Sequence, residues 1–308
     1  DTTLFEPHHL IEDPPANWIA RTIKRGEKIG FDPWVTTVAE ARKLRSAAET
    51  AGAKLIPLPR NPVDMVWKDQ PPRPTGMIEA HDIAHAGAAA ATKLKSIAAT
   101  LEKQGADAAF VADPASVCWA LNIRGSDVPF TPFPLAYALL RRKGKAELFA
   151  DAKRLTAEAR AALKDVAVCK TPSGLQDRLA ELHGKAVSLD PNHAPEAVRL
   201  ALLKAGAKVI EAQDPCLMPK ARKNATEQQG AREAQRRDGG ALTRFLKWVA
   251  DNGANGDHTE ATAAAMLHGF RIVEEMKDGL SRWMDEKGYQ SISEFVGKAV
   301  PNTTDWKY

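Results

Sequence analysis

The sequence predicts an α/β fold, a mixed sheet flanked by helices with a helical C-terminal extension. Three observations predict it. Between residues 28 and 211, short apolar runs bounded by Gly, Pro or Asp alternate with helical periods, the pattern of strands joined by crossover helices. Beyond residue 224 the strand pattern ceases and one helical period runs to about Ala250. The chain has 308 residues, of which 44% are hydrophobic and 27% charged, ordinary values for a globular protein able to bury a core.

In the first segment, 1–78, Lys28-Ile-Gly-Phe31 reads as a strand stopped by Asp32-Pro33. Val35 to Ala51 has a helical period, with Gly52 as its stop, and Lys54-Leu-Ile-Pro57 is the next strand. A Pro-laden exit, Asn61 to Pro74, follows. In the second segment, 79–215, Lys93 to Gln104 is an amphipathic helix ended by Gly105. Ala108–Ala112 is a strand, and Asp113-Pro114 opens a short helix carrying Cys118 and Trp119. Strands are expected at Pro134–Leu140 and Ala146–Ala150, then helix 152–163, strand 166–169, helix 175–182, strand 186–189, helix 194–205 and strand 208–211. Phe110, Val111, Leu135, Leu148 and Val209 are the expected core. A linker and one long helix occupy 216–258, with Asn224 and Glu227 spaced as a capping box. A helical tail fills 259–308.

Composition excludes several function classes. The net charge of +4 is scattered and aromatics are only 6%, so no nucleic-acid partner is expected. No run approaches the roughly 18 apolar residues of a membrane helix, so no membrane partner is expected either. Cys118, Cys169 and Cys216 form no Cys-x-x-Cys pair and suit a reducing, cytoplasmic location. The start at Asp1 and the end at Tyr308 predict a fragment.

The most informative stretch is Trp119-Ala-Leu-Asn-Ile-Arg-Gly-Ser-Asp127, continued by Val-Pro-Phe-Thr-Pro132. Gly125 suits a turn, and Ser126 and Asp127 can bond their own backbone. Arg124 offers a planar fork for Asp127, a carbonyl or an incoming carboxylate. The stretch is either a turn braced by an Arg–Asp pair or a contact site for substrate or a second subunit, with Arg124, Ser126 and Asp127 as candidates.

This block resembles the Asn-Ile/Leu-Arg-Gly-Ser-Asp stretch of Xaa-Pro aminopeptidases, in the creatinase/aminopeptidase P family. Asn61-Pro-Val-Asp-Met-Val-Trp-Lys-Asp-Gln-Pro71 is similar to the segment closing the family's first domain. Lys220-x-x-Lys-Asn-x-x-Glu227 and Arg236-Arg-Asp-Gly-Gly-Ala-Leu-Thr-Arg-Phe-Leu-Lys-Trp-Val249 resemble the first helix of its "pita-bread" catalytic domain, continued by Thr259-Glu260. The resemblance implies an incomplete first creatinase-like domain (1–78), a second one (79–215) and a truncated catalytic domain. It implies metal-dependent release of the residue preceding proline in the full-length family. It also implies homo-oligomers built through the N-terminal domains, and a proline-containing peptide as ligand. The family's centre holds two divalent ions, Mn or Zn, on two Asp, one His and two Glu. None of these can be matched here, so no catalytic, metal or cofactor-binding residue is assigned, no cofactor is expected in this chain, and the chain is expected to be inactive alone. The alternative is a non-catalytic oligomerisation or peptide-binding module.

From about Ala263 the wording changes. Met266-Leu-His-Gly-Phe-Arg-Ile-Val-Glu-Glu-Met276 through Asp305-Trp306 resembles the barrel end of bacterial dihydropyrimidine dehydrogenase, which suggests a chimeric or misassembled fragment with a seam near Glu260–Ala264. A fragment linked to that enzyme is the second alternative. Phe270, Val273, Met276, Leu280 and Trp283 form an apolar stripe, expected to fold back on the long helix as a hairpin. His268, Asp285 and Glu286 match no metal ligand. His81-Asp-Ile-Ala-His85 has metal-like spacing, but Asp82 stands where the zincin motif needs Glu.

Overall fold

The computed structural model describes residues 3–4 and 6–271 and the isolated positions 284, 288 and 290. The chain divides into two compact units, Asp1–Thr226 and Glu227–Tyr308.

The first unit begins with α1 (Pro15–Thr22), β1 (Lys28–Phe31), α2 (Val38–Thr50), β2 (Lys54–Pro57) and α3 (Pro62–Val66). It continues through β3 (Ile78–Ala80), α4 (Ile83–Ala86), α5 (Ala90–Gln104), β4 (Ala108–Val111), α6 (Pro114–Leu121) and β5 (Ile123–Gly125). Then come β6 (Tyr137–Arg141), β7 (Ala146–Phe149), α7 (Ala157–Leu163), β8 (Ala167–Lys170), α8 (Leu175–Ala180), β9 (Ala186–Leu189), α9 (Glu196–Lys204), β10 (Lys208–Glu211) and α10 (Leu217–Ala221).

Six strands form one mixed sheet in the order β10-β9-β4-β6-β7-β8. Only β6 runs against its neighbours, pairing antiparallel with both β4 and β7. The period of two along each strand divides the core between the faces. Ala109, Val111, Leu140 and Leu148 pack with Ile97 and Leu101 of α5, Leu121 of α6 and Leu163 of α7. Ala108, Phe110, Leu139 and Phe149 pack on the other face with Leu179 of α8 and Val198 and Leu202 of α9. Each buried Val, Leu, Ile or Phe among them contributes about 1.5–3 kcal/mol in area terms.

The first segment docks on the second through α2. Thr37 and Glu40 close a full capping box at its start. The Val38 amide then donates to the Ala194 carbonyl at 3.0 Å, and the Glu196 amide donates back to Thr36 at 2.9 Å. Arg45 pairs with Glu196 and Arg42 with Glu211. β1 and β2 form a separate parallel pair, and β3 pairs antiparallel with β5.

Three expectations are corrected. β6 begins at Tyr137 rather than Pro134, because the Leu135 amide is taken by the Asp127 carboxylate at 2.7 Å. Leu135 is consequently 51% exposed and stands outside the core, and Val209 packs there only partly buried. The expected helix 152–163 is broken into a 3₁₀ turn, Ala152–Arg154, and α7. Leu155 is extended, and Thr156 caps α7 by accepting from the Ala159 amide.

The second unit is dominated by α11 (Ala225–Asn252), followed by a 3₁₀ turn Gly253–Asn255 and a helix over 260–271. The described part of the tail returns along α11: Trp248 packs on His258 at 4.7 Å between centroids, and Arg271 pairs with Asp238 at 2.6 Å. Leu242 and Leu246 remain 41% and 57% exposed. Val273, Met276, Leu280, Trp283, Asp285 and Glu286, and most of the segment resembling dihydropyrimidine dehydrogenase, lie outside the described residues. No helix among the described residues is long and apolar enough to cross a membrane.

Candidate functional site

The 122–135 loop is built on a helix end. Asp113 starts α6, accepting from the amides of Ala115 and Ser116, and is held by Lys220 at 2.6 Å. The helix ends at Asn122, which adopts a left-handed φ of 50°, a conformation asparagine tolerates better than most residues. Its side chain is held at both ends: Oδ1 accepts from the buried Lys93 Nζ at 2.7 Å, and Nδ2 donates to the Ala88 carbonyl at 2.9 Å. Lys93 also lies 4.8 Å over the Trp119 ring.

Beyond Asn122 the chain enters β5, where Arg124 stands opposite Glu79 in register. At Gly125 a Cβ would fall 2.6 Å from the Pro134 nitrogen, so only glycine admits the returning strand this closely. The Gly125 amide donates to the Pro132 carbonyl, and the Thr131 amide to Val128. Phe130 sits at the tip, with φ 59° and 93% exposed.

Asp127 is the knot of the loop. Its side chain is fully buried beside Arg154, which is 12% exposed. The carboxylate accepts from the Gly76 amide at 3.0 Å, the Leu135 amide at 2.7 Å and Arg154 Nη2 at 2.6 Å. Arg154 Nε donates to the Gly76 carbonyl at 2.8 Å. Of the partners expected for Arg124, a backbone carbonyl is found, Nη1 donating to Ile123 at 2.8 Å, while the cation on Asp127 is Arg154. The structure brings the three candidates into one loop with separate duties. Asp127 is committed to the frame, Ser126 is exposed and Arg124 half-buried. Arg154, 27 positions from Asp127, is the member that sequence reasoning missed.

The thiols are chemically quiet. Burial pushes Cys118 up to about 12 and Cys216 well above its usual range. His81 and His85 stack with centroids 6.0 Å apart, and Asp82 accepts from the Ala84 amide as the cap of α4. Among the described residues no three His, Cys, Asp or Glu side chains gather as a metal site would require.

Over residues 69–227 the chain matches the Creatinase/Prolidase N-terminal domain family. It is 33% identical over 242 residues to a probable Xaa-Pro aminopeptidase P of Arthroderma gypseum, spanning 75% of this chain and 38% of that protein. A probable Xaa-Pro aminopeptidase P of Paracoccidioides brasiliensis is 31% identical over 290 residues, spanning 88% of this chain and 47% of that one. Among solved structures, the X-prolyl aminopeptidase of Caenorhabditis elegans, described as a cytosolic enzyme with a di-nuclear active site, superposes with a TM-score of 0.75. It is 26% identical, and the match covers 84% of this chain and 43% of that one. The chain spans less than half the length of these relatives.

Proposed function

The chain belongs to the creatinase/prolidase family, on its aminopeptidase P side, and from that premise we propose that it is the amino-terminal part of an Xaa-Pro aminopeptidase, shaping the substrate pocket and the subunit contact rather than performing the hydrolysis. The observation that carries this reading is the likeness to the Caenorhabditis elegans enzyme across 84% of the chain, against 43% of that enzyme. On this reading 1–78 and 79–215 correspond to the two N-terminal domains of the family, and 216–258 to the linker and first helix of its catalytic domain. The tail resembling dihydropyrimidine dehydrogenase marks a seam. A cytoplasmic setting is supported by the cytosolic relative and by three free cysteines.

The described residues bring no metal-ligand set together, so the chain is expected to release no arginine from an Arg-Pro-Pro peptide, with or without Mn²⁺. Cleavage that a chelator abolishes would overturn the reading.

Self-association through the 122–135 loop is the second part of the proposal. It is supported by the solvent-exposed Ser126 and Phe130 beside a half-buried Arg124. Arg124→Ala should weaken an oligomer, followed by light scattering, while shifting the melting temperature little. A lowered melting temperature with unchanged mass would return Arg124 to a purely structural role.

A further inference from the structure

The six-stranded sheet carries a concave feature at the end opposite the 122–135 loop. β4 enters there at Ala108 and β6 leaves at Arg141, the two residues being register partners. The β6–β7 hairpin turn, the start of β4 and the connection from α8 to β9 enclose a cavity of about 400 Å³. Its lining includes five cations, Arg141, Arg142, Lys143, Arg178 and Lys185, against two acids, Asp107 and Glu181.

The cations fall into two classes. Arg141 and Arg178 are committed to the protein. Glu147 accepts from Arg141 Nη1 at 2.8 Å and from Arg178 Nε at 2.7 Å, and Arg178 Nη1 donates to Glu181 at 2.9 Å. Burial pushes the Glu147 carboxyl up, but hydrogen bonds from Arg178 and Arg141 outweigh it and hold the group ionised below the usual range. Of the other three, Arg142 is ion-paired with Asp107, whose carboxylate also feels the nearby charge of Lys185. Among the described residues, neither Lys143 nor Lys185 makes a side-chain hydrogen bond or ion pair. Arg142 makes one side-chain bond, from Nη2 to Asp107 at 2.7 Å, and its buried Nε has no acceptor. A guanidinium has five N–H donors, and those within reach of the cavity are the Nη ones that Asp107 does not take, Nε being shut from solvent.

Behind these groups lie the buried Ala108, Leu139 and Leu182, an apolar backing that strengthens any charge interaction made against it. We propose that this cavity binds a small multivalent oxyanion, a pyrophosphate group free or carried on a larger molecule. The excess positive charge calls for more than one negative charge in a small volume. The Arg142 fork and the two lysine point charges suit phosphate oxygens. No aromatic side chain lines the cavity, so it offers no stacking platform, and the phosphates themselves are the recognised part. A recess of this size, partly open to solvent, holds a small molecule more fully than it holds an extended acidic chain.

Titration calorimetry of the whole chain at low ionic strength tests the proposal with three probes: inorganic pyrophosphate, ADP and a tetraglutamate peptide. Pyrophosphate should bind, and the Lys143→Ala/Lys185→Ala double variant should lose at least ten-fold in affinity. Both lysines are exposed, so its melting temperature without ligand should stay unchanged. ADP binding at least as tightly would assign a carried pyrophosphate, and tighter binding of inorganic pyrophosphate a free one. Lys145→Ala serves as the charge control, because Lys145 lies on the same hairpin but lines a different surface, where its Nζ donates to the Lys164 carbonyl at the end of α7. The idea is overturned if the wild-type chain gives no heat with pyrophosphate, if the double variant binds as well, if Lys145→Ala loses as much, or if tetraglutamate binds as tightly.

Discussion

Arg154→Ala should cost about 3–5 kcal/mol of unfolding free energy, the usual penalty for leaving a buried carboxylate without its cation. Asp127 is fully buried and keeps only two backbone amides once Arg154 is gone. Two amides compensate a carboxylate incompletely where solvent cannot enter. Denaturant melts at neutral pH measure the loss, and a change below about 1 kcal/mol would show that the pair contributes little. The Asp127→Asn/Arg154→Ala double variant should lose less than the sum of the singles, because each single mutant leaves a partner uncompensated. Arg154→Lys should recover only part of the loss, since an ammonium cannot span the Gly76 carbonyl and both carboxylate oxygens as the guanidinium does.

Acid should weaken the first unit through Glu196, whose side chain is fully buried between Arg45 and Arg199. Burial raises this carboxyl, but hydrogen bonds from Arg199 and Arg45 together exceed that effect and bring it below its ordinary value of 4.5. The unfolded chain therefore holds this proton at a pH where the folded chain has released it. Its stabilising contribution is complete above about 4.5 and is lost as the pH falls through the lower folded value. Glu196→Gln should cost about 2–3 kcal/mol at pH 7, as for loss of charge-assisted hydrogen bonds. The gap from wild type should then narrow as the pH is lowered beneath the carboxylate range. A gap that stays constant from pH 7 to pH 3 would remove Glu196 from the acid response.

The parts that local chemistry determines were legible in the sequence, and the parts that distant residues determine were not. β1, β2, β9 and β10 appear at their expected residues, because each is a short apolar run bounded by turn residues. The Gly105 stop and the Asp113-Pro114 start are likewise local. Arg154 carried no such signal. The apolar spacing from Ala152 to Leu163 reads as one helix, and only the docking of Leu155 beside Ile78 and the cap at Thr156 show why it breaks. Leu135 was expected inside for the same reason: alternation makes it a strand residue until Asp127 takes its amide. β5 is three residues long and includes a glycine, too short for a period to register. In the candidate site, therefore, the participating stretch was visible but its internal pairing was not.

The grip of Asp127 on three distant segments has a consequence for how this surface can vary. Gly76, Leu135 and Arg154 lie 51, 8 and 27 positions from it, so one carboxylate closes three loops at once. The cost of closing a loop grows only with the logarithm of its length, each doubling adding about 0.6 kcal/mol. Residues inserted at the Pro129–Thr131 tip lengthen the 8-position loop and the 27-position loop that contains it, leave the 51-position loop unchanged, and the clasp fixes both ends of the tip relative to the sheet. The exposed end can therefore drift in length and character among descendants without loosening the frame beneath it. A protein built this way can acquire new contacts at the tip one substitution at a time, with the fold left out of the exchange.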